Sequence, residues 1–359
     1  MRDRDSAHAS DLSEIEIIAT NFKRRLSGVT STIVQLIPKQ VELGYHIATL
    51  GPGLPEDLPK LGWLRLFGLW ARPRRCRVRV WHARRNNEML VGLLLRSVLR
   101  MPLKLVFTSA AQRRHTGYTR WLIRRMDAVI ATSTRSGSFL EVPHTVIQHG
   151  VDLNRFHPPE RPDDRMAATG LPGSYLVGCF GRVRHQKGTD LFVKAMIELL
   201  PQYPDWTAVV CGRVTAEHRS FGDELEKMVA AAGLADRIRF MGEVEDIKPW
   251  YRRATLYVAP SRNEGFGLTP LEAMASRTAV VASDAGAYAE MIVPGETGAV
   301  VPAGDGEALT KAIARYLADP EETLRQGENA VRHVRSEFAL EKEATAIGDV
   351  YKRLLVANK

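Results

Sequence analysis

Two glutamates, Glu264 and Glu272, stand with seven residues between them in "SRNEGFGLTPLEAMAS" (261–276). Carboxylates accept strong hydrogen bonds from sugar hydroxyls. About eighty residues earlier, "CFGRVRHQKG" (179–188) places Arg182 and Lys187 in one short loop. Arginine offers a rigid fork to phosphate oxygens and lysine a compact point charge, a pair suited to a diphosphate. Gly265 and Gly267 let backbone N–H groups come close to an anion at the start of a helix, whose free amides make an anion site. Thr269-Pro270-Leu271-Glu272 also reads as N-cap, N1, N2 and N3 of that helix. A capping box would then occupy Glu272 with the N-cap amide. Gly28, in "RRLSGVTSTI" (24–33), opens an earlier helix, where it reads either as an ordinary turn or as a second close approach to the diphosphate. Together these residues describe a nucleotide-sugar site, with a diphosphate clamp beside a reader of sugar hydroxyls.

Such a site needs rigid elements with loops at strand ends. The second half of the chain alternates strands with helices, the pattern of a doubly wound parallel sheet. "YLVGCFGR", "WTAVVCGR", "RIRFMGEV", "TLYVAPS" and "TAVVAS" read as strands, with helices between them and charged helices from about residue 305. In the first half, "EIEIIAT", "HIATLGP", "VRVWHA", "LKLVFTS", "AVIATS" and "TVIQHGVD" read as strands, and "GVTSTIVQLIPKQVELG" as a helix. The spacing predicts two Rossmann-like domains facing a central cleft. Residues 1–13 form a flexible tail, 14–155 the first domain and 172–335 the second. A polar linker spans about 153–172, and a closing helix at 336–359 packs back on the first domain. Ligands of open α/β sheets sit outside the carboxyl ends of the strands, where Arg182, Lys187 and Glu264 fall.

The 359 residues are more than one core usually serves. Three cysteines, Cys76, Cys179 and Cys211, show neither metal-type spacing nor a disulfide framework and suit a reducing cytoplasm. The polar start "MRDRDSAHASDLSE" predicts no signal peptide, and the apolar segment 89–107 carries too many charges to span a bilayer. Net charge is +9, unevenly placed. Residues 1–155 hold 25 lysines and arginines against 12 acids, whereas 156–359 hold 25 against 29. The basic half faces something anionic or simply keeps the protein soluble. In "LRLFGLWARPRRCRVRVWHARR" (64–85), together with Trp63 and Trp70, arginines and aromatics mix as on a protein that touches an anionic leaflet, or as in a core with scattered charges. No RNA-binding, zinc or helix-turn-helix signature supports a nucleic-acid partner.

Four segments carry a resemblance. "EGFGLTPLEAMA", "FGRVRHQKGTDLFVKA", "IQHGVDLNRFHP" and "SDAGAYAEMIVPGETGAVVP" resemble, in order, the E-x7-E motif of the retaining glycosyltransferases of family 4, their phosphate-binding segment, their hinge and the stretch after E-x7-E. The resemblance runs from about residue 14 and implies the GT-B fold. It implies that Glu264 binds the donor hexose, Glu272 the ribose, Arg182 and Lys187 the diphosphate, that backbone amides around Gly267, Leu268 and Thr269 complete the phosphate cradle, and that Gly28 lies near that diphosphate. Val244, in "FMGEVEDI", matches the base-contacting loop more loosely. "TSAAQRRHTGYTRWL" resembles a subgroup that includes lipopolysaccharide core mannosyltransferases of alpha-proteobacteria. There Arg113, Arg114 and His115 would face an anionic acceptor, or would only begin a solvated helix. Where many family members carry a histidine, this chain reads Thr108-Ser109-Ala110.

The resemblance implies retaining transfer of a hexose, best matched by mannose from GDP-mannose, to an anionic glycolipid of the lipopolysaccharide core. UDP- or ADP-glucose with another acceptor is the alternative. No D-x-D pair marks a strand end, so catalysis is expected without a metal or other cofactor. The expected place of action is the cytoplasm, with peripheral contact at the inner leaflet.

Overall fold

The computed structural model describes residues 11–24 and 28–356. Residues 1–10 of the expected tail and 25–27 of the Gly28 segment lie outside the described residues. By its contacts the chain falls into two units, one up to Gly150 plus the chain from Leu340, the other Val151–Ala339.

The first unit is built on strands β1 (Ile17–Thr20), β2 (Ile47–Leu50), β3 (Arg79–Ala83), β4 (Leu103–Ser109), β5 (Ala128–Ala131) and β6 (Thr145–Val146). Its helices are α1 (Gly28–Glu42), α2 (Asn86–Leu93), α3 (Gly117–Ile123) and α4 (Thr134–Gly137). All strands are parallel, in the order β2-β1-β3-β4-β5-β6. Side chains alternate across the sheet. Ile17, Val80, Val106 and Ile130 face one core, while their neighbours Ile18, Trp81, Leu105 and Val129 face the other. Such strands read as continuous apolar runs because both faces are covered.

The second unit contains β7 (Tyr175–Phe180), β8 (Trp206–Cys211), β9 (Ile238–Gly242), β10 (Leu256–Ala259), β11 (Ala279–Ser283) and β12 (Gly298–Val301). The order is β12-β11-β10-β7-β8-β9, which puts β7 at the point where the winding reverses. Its helices are α5 (Thr189–Leu199), α6 (Arg219–Ala231), α7 (Lys248–Arg253), α8 (Thr269–Ala275), α9 (Tyr288–Met291), α10 (Gly306–Ala318) and α11 (Pro320–Glu337). After them α12 (Leu340–Val356) returns to the first unit. Leu340, Ala344, Ile347 and Tyr351 recur at helical spacing and fill the same core as α1. Gly348 lets the Tyr45 ring lie against the helix, since a Cβ would stand 1.8 Å from its hydroxyl oxygen and push the ring aside.

Three expectations change. Residues 153–172 are not a free linker: Phe156 and Met166 are buried, and the Arg252 guanidinium bonds Asp164 at 2.5 Å. Strand β12 gives no strand signal, since "GAVV" is too short and glycine-led. The run "TVIQHGVD" supplies only the two-residue β6, because His149 and Gly150 are held instead by Glu343 of α12. Its carboxylate accepts from His149 Nδ1 at 2.7 Å and from the Gly150 amide at 2.8 Å.

Candidate functional site

The switch point of the second sheet lies between β7 and β10. Strand β7 ends at Phe180, and the chain turns at Gly181 (φ 135°) into Arg182, Arg184 and a short turn ending at Lys187. Gly188 (φ 69°) passes so close to β10 that a Cβ would lie 1.9 Å from the Pro260 carbonyl oxygen. This approach brings the basic turn against the segment after β10. Arg262 laces the two together. It donates to both Asp190 oxygens at 2.7 Å and to the His185 carbonyl at 2.7 Å, and its own amide donates to the Gln186 carbonyl. Such a bidentate pair fixes geometry as well as charge.

Lys187 pairs directly with Glu264. Both side chains are about one-fifth exposed (22% and 20%), so the pair is reachable from solvent. Glu264 is wedged by two glycines. A Cβ on Gly267 (φ 86°) would come within 2.9 Å of the Glu264 Cγ and 2.3 Å of the Tyr288 ring, and one on Gly286 (φ 62°) within 3.0 Å of the Glu264 Cβ. These glycines position the carboxylate, the tighter of their two roles. Among the described residues no acceptor takes the N–H groups of Gly267, Leu268 or Thr269. Arg182 is exposed and bonds no described residue. A guanidinium, an ammonium and three unclaimed amides therefore converge on the carboxyl ends of β7 and β10.

Glu272 corrects the capping-box expectation. Helix α8 has Leu268 at the N-cap, Thr269 and Pro270 inside the first turn, and no side-chain cap. Glu272 instead accepts from the Tyr251 hydroxyl at 2.8 Å. Burial pushes the Glu272 carboxyl above the usual glutamate value, while the Tyr251 bond and the fields of Arg155 and Lys187 pull it down. Burial likewise raises Tyr251 well above its ordinary value, so its phenol stays a donor. The buried Tyr257 hydroxyl donates to the Phe180 carbonyl at 3.3 Å, so the core beneath α8 is tied to the end of β7. Val244 follows β9 and is half-buried against the core that holds Tyr251.

Other expected residues lie in the first unit. Gly28 begins α1, and among the described residues nothing lies within 4 Å of an added Cβ. Arg113 and Arg114 are exposed ahead of α3. His115 is half-buried with Nε2 3.5 Å from the Ser109 hydroxyl, and burial, helped by Arg113, lowers its pKa. Sequence reading missed Tyr251, Tyr288 and the Arg262–Asp190 brace. For Tyr251 the only signal was an aromatic on the short helix "KPWYRR". Cys179 lies behind the turn, fully protonated at neutral pH because burial pushes its thiol up to about 12.

Two open parallel sheets of this winding, with cations and carboxylates meeting where the second reverses, define a glycosyltransferase of the GT-B type. Comparison with known proteins reaches the same class: residues 163–333 match the family described as Glycosyl transferases group 1, and the chain belongs to it. It is 77% identical, over 97% of its length and 99% of the relative's, to "Lipopolysaccharide core biosynthesis mannosyltransferase LpcC" of Rhizobium leguminosarum bv. viciae. It is 55% identical, over 96% of its length and 99% of the relative's, to "Lipopolysaccharide core biosynthesis mannosyltransferase LpsB" of Rhizobium meliloti (strain 1021). Among solved structures, Anabaena Alr3699/HepE in complex with UDP shares the fold at a TM-score of 0.81, with 20% identity over 94% of this chain and 100% of that one.

Proposed function

We propose that this chain transfers mannose, with retention, from GDP-mannose to an anionic acceptor of the lipopolysaccharide core. The convergence of Arg182, Lys187 and unclaimed amides beside Glu264 carries the transfer reading. Likeness to the two Rhizobium proteins supports mannose and the core acceptor. As the anomeric bond breaks, charge grows on the leaving diphosphate, and cations and amides already in place stabilise it. A diphosphate at this turn draws Lys187 from Glu264, and the freed carboxylate takes hexose hydroxyls. Glu272 takes the ribose, and Val244 borders the base. The acceptor attacks from the donor's own face, and the departing diphosphate accepts its proton. Rates with GDP-mannose, UDP-glucose and ADP-glucose test the donor: equal or better turnover with a glucose donor would overturn the mannose assignment. Because Arg182 and Lys187 supply the positive charge, transfer should persist in EDTA. Inhibition reversed by Mg²⁺ would refute metal independence.

The acid limb of the donor profile should report on Glu272. Ribose hydroxyls donate to its carboxylate, so donor KM should climb as pH falls through its raised pKa. Tyr251→Phe deletes a bond that lowers this pKa and should move the limb to higher pH. An unmoved limb would mean that another group sets it.

We further propose peripheral contact with an anionic leaflet at the cytoplasmic face. No described helix is long and apolar enough to cross a membrane. The short helix Trp63–Trp70 nevertheless exposes Trp63, Leu64, Phe67 and Trp70. It is not frayed: Leu69 is buried, and the buried Arg79 guanidinium donates to the carbonyls of Leu12, Ile15, Leu69 and Ala71. The Trp70 indole donates to the Leu99 carbonyl, which joins the exposed Leu94, Val98 and Leu99 to the patch. Exposed apolar patches of this kind mark interaction sites, and nearby arginines favour anionic lipid. The double variant Leu64→Ser/Phe67→Ser should cut flotation with phosphatidylglycerol vesicles at least about tenfold, given ~0.8 kcal/mol per buried methylene. Equal flotation with phosphatidylcholine, or none by the wild type, would overturn this contact.

A further inference from the structure

The first sheet reverses its winding between β1 and β3, and open α/β sheets take ligands outside the carboxyl ends of such strands. The two strand-end loops are tied together by Glu88, fully buried on α2. One of its oxygens accepts from the Phe22 amide at 3.0 Å and from Arg85 Nη1 at 2.8 Å, and the other accepts from the Arg84 amide at 2.7 Å. Arg85 Nη1 also donates to Asn21 Oδ1 at 2.8 Å, and Asn21 Nδ2 donates to the carbonyls of Lys23 and Pro52. Just before Arg84, His82 is locked between the hydroxyls of Thr108 and Tyr351, at 2.7 and 2.6 Å. This is a rigid frame in which Arg85 is paired.

Among the described residues nothing pairs with Arg84, and its buried Nη1 has no hydrogen-bond partner there. The carboxylates in its field are those of Glu88 and Glu343, and both are committed elsewhere, Glu343 to His149 Nδ1 and the Gly150 amide. Arginine stays charged at neutral pH even where burial lowers its pKa, as it does here. Arg84 is half-buried overall, and its one buried, idle donor is costly unless a bound group supplies the acceptor. Arginine's fork suits a carboxylate or a phosphate.

We propose that Arg84, at the winding reversal of the first sheet, binds an oxyanion of the acceptor, a carboxylate or a phosphate. The assignment rests on the anionic-acceptor reading above, and it adds a residue and a place to it. The donor's phosphates already have Arg182 and Lys187, so Arg84 acts on the acceptor side.

The test uses the full-length enzyme, with Arg84→Gln and Arg84→Lys. The probe is de-O-acylated lipooligosaccharide from a strain lacking this gene, intact or dephosphorylated. Arg84→Gln should weaken acceptor binding and raise acceptor KM by about 10- to 100-fold, the span expected for a hydrogen bond to a charged group. Donor KM and donor hydrolysis without acceptor should stay within about twofold. Arg84→Lys, which keeps the charge without the fork, should fall between. If dephosphorylation weakens wild-type binding but leaves Arg84→Gln unchanged, the oxyanion is a phosphate. Equal losses on both probes identify a carboxylate. Unchanged acceptor binding overturns the assignment, as does a matching rise in donor KM. Equilibrium binding without donor reads Arg84 even if no nucleotide sugar is turned over, a result that would defeat the transfer reading alone.

Discussion

Lys187→Ala should lower kcat/KM for transfer by about 100- to 1,000-fold, the usual cost of deleting one preorganised donor aimed at transition-state charge. The loss should fall mainly on kcat, because charge on the diphosphate grows as the anomeric bond breaks. Folding should barely change. Among the described residues Lys187 has one ionic partner, Glu264, in a pair with solvent access, and such pairs contribute on the order of 1 kcal/mol or less. The Arg262–Asp190 brace still holds the turn in place. The check is initial rates over a donor series beside a thermal melt. Near-normal kcat with an unchanged melt would remove Lys187 from the chemistry, whereas a collapsed melt would make it a structural residue.

Glu264→Gln should separate catalysis from nucleotide binding. The amide keeps the shape of the side chain between Gly267 and Gly286 but has no charge to offer sugar hydroxyls. Transfer should fall by about 100-fold or more, as when a charged hydrogen-bonding partner is lost at a reacting centre. Nucleoside diphosphate should bind as well as before, or up to about tenfold more tightly, since Lys187 no longer divides its charge between a carboxylate and the phosphates. Calorimetry with GDP beside steady-state kinetics reads both. A parallel loss of GDP affinity and turnover would show that Glu264 only holds the turn together.

Much of this design is written locally. The buried strands are continuous apolar runs, and the basic turn announces itself by Gly181 and Gly188 around Arg182 and Lys187. The E-x7-E stretch was legible as a site, yet its inner detail was not. Thr269-Pro270-Leu271-Glu272 fits a capping box, but the helix begins one residue earlier, at a Leu268 N-cap, and Tyr251 takes the carboxylate. A local signal lost to a tertiary partner, because a buried phenol needs an acceptor and Glu272 was within reach. The sequence places a closing helix at 336–359. Its seat beside α1 depends on a core shared with β1, β3 and β4, some two hundred residues or more upstream.

The sequence by itself determined the class: parallel α/β units, a phosphate-reading turn and two glutamates in one segment. It did so because periodicity, glycine placement and charge are properties of a few consecutive residues. The tertiary structure alone decided the partners. It joined Lys187 to Glu264 across 77 residues, Glu272 to Tyr251, and Glu343 to His149, and it left Arg84 with an idle donor. Strand order brings these side chains together. The order in which parallel strands lie side by side follows from how whole layers pack, which no local stretch encodes.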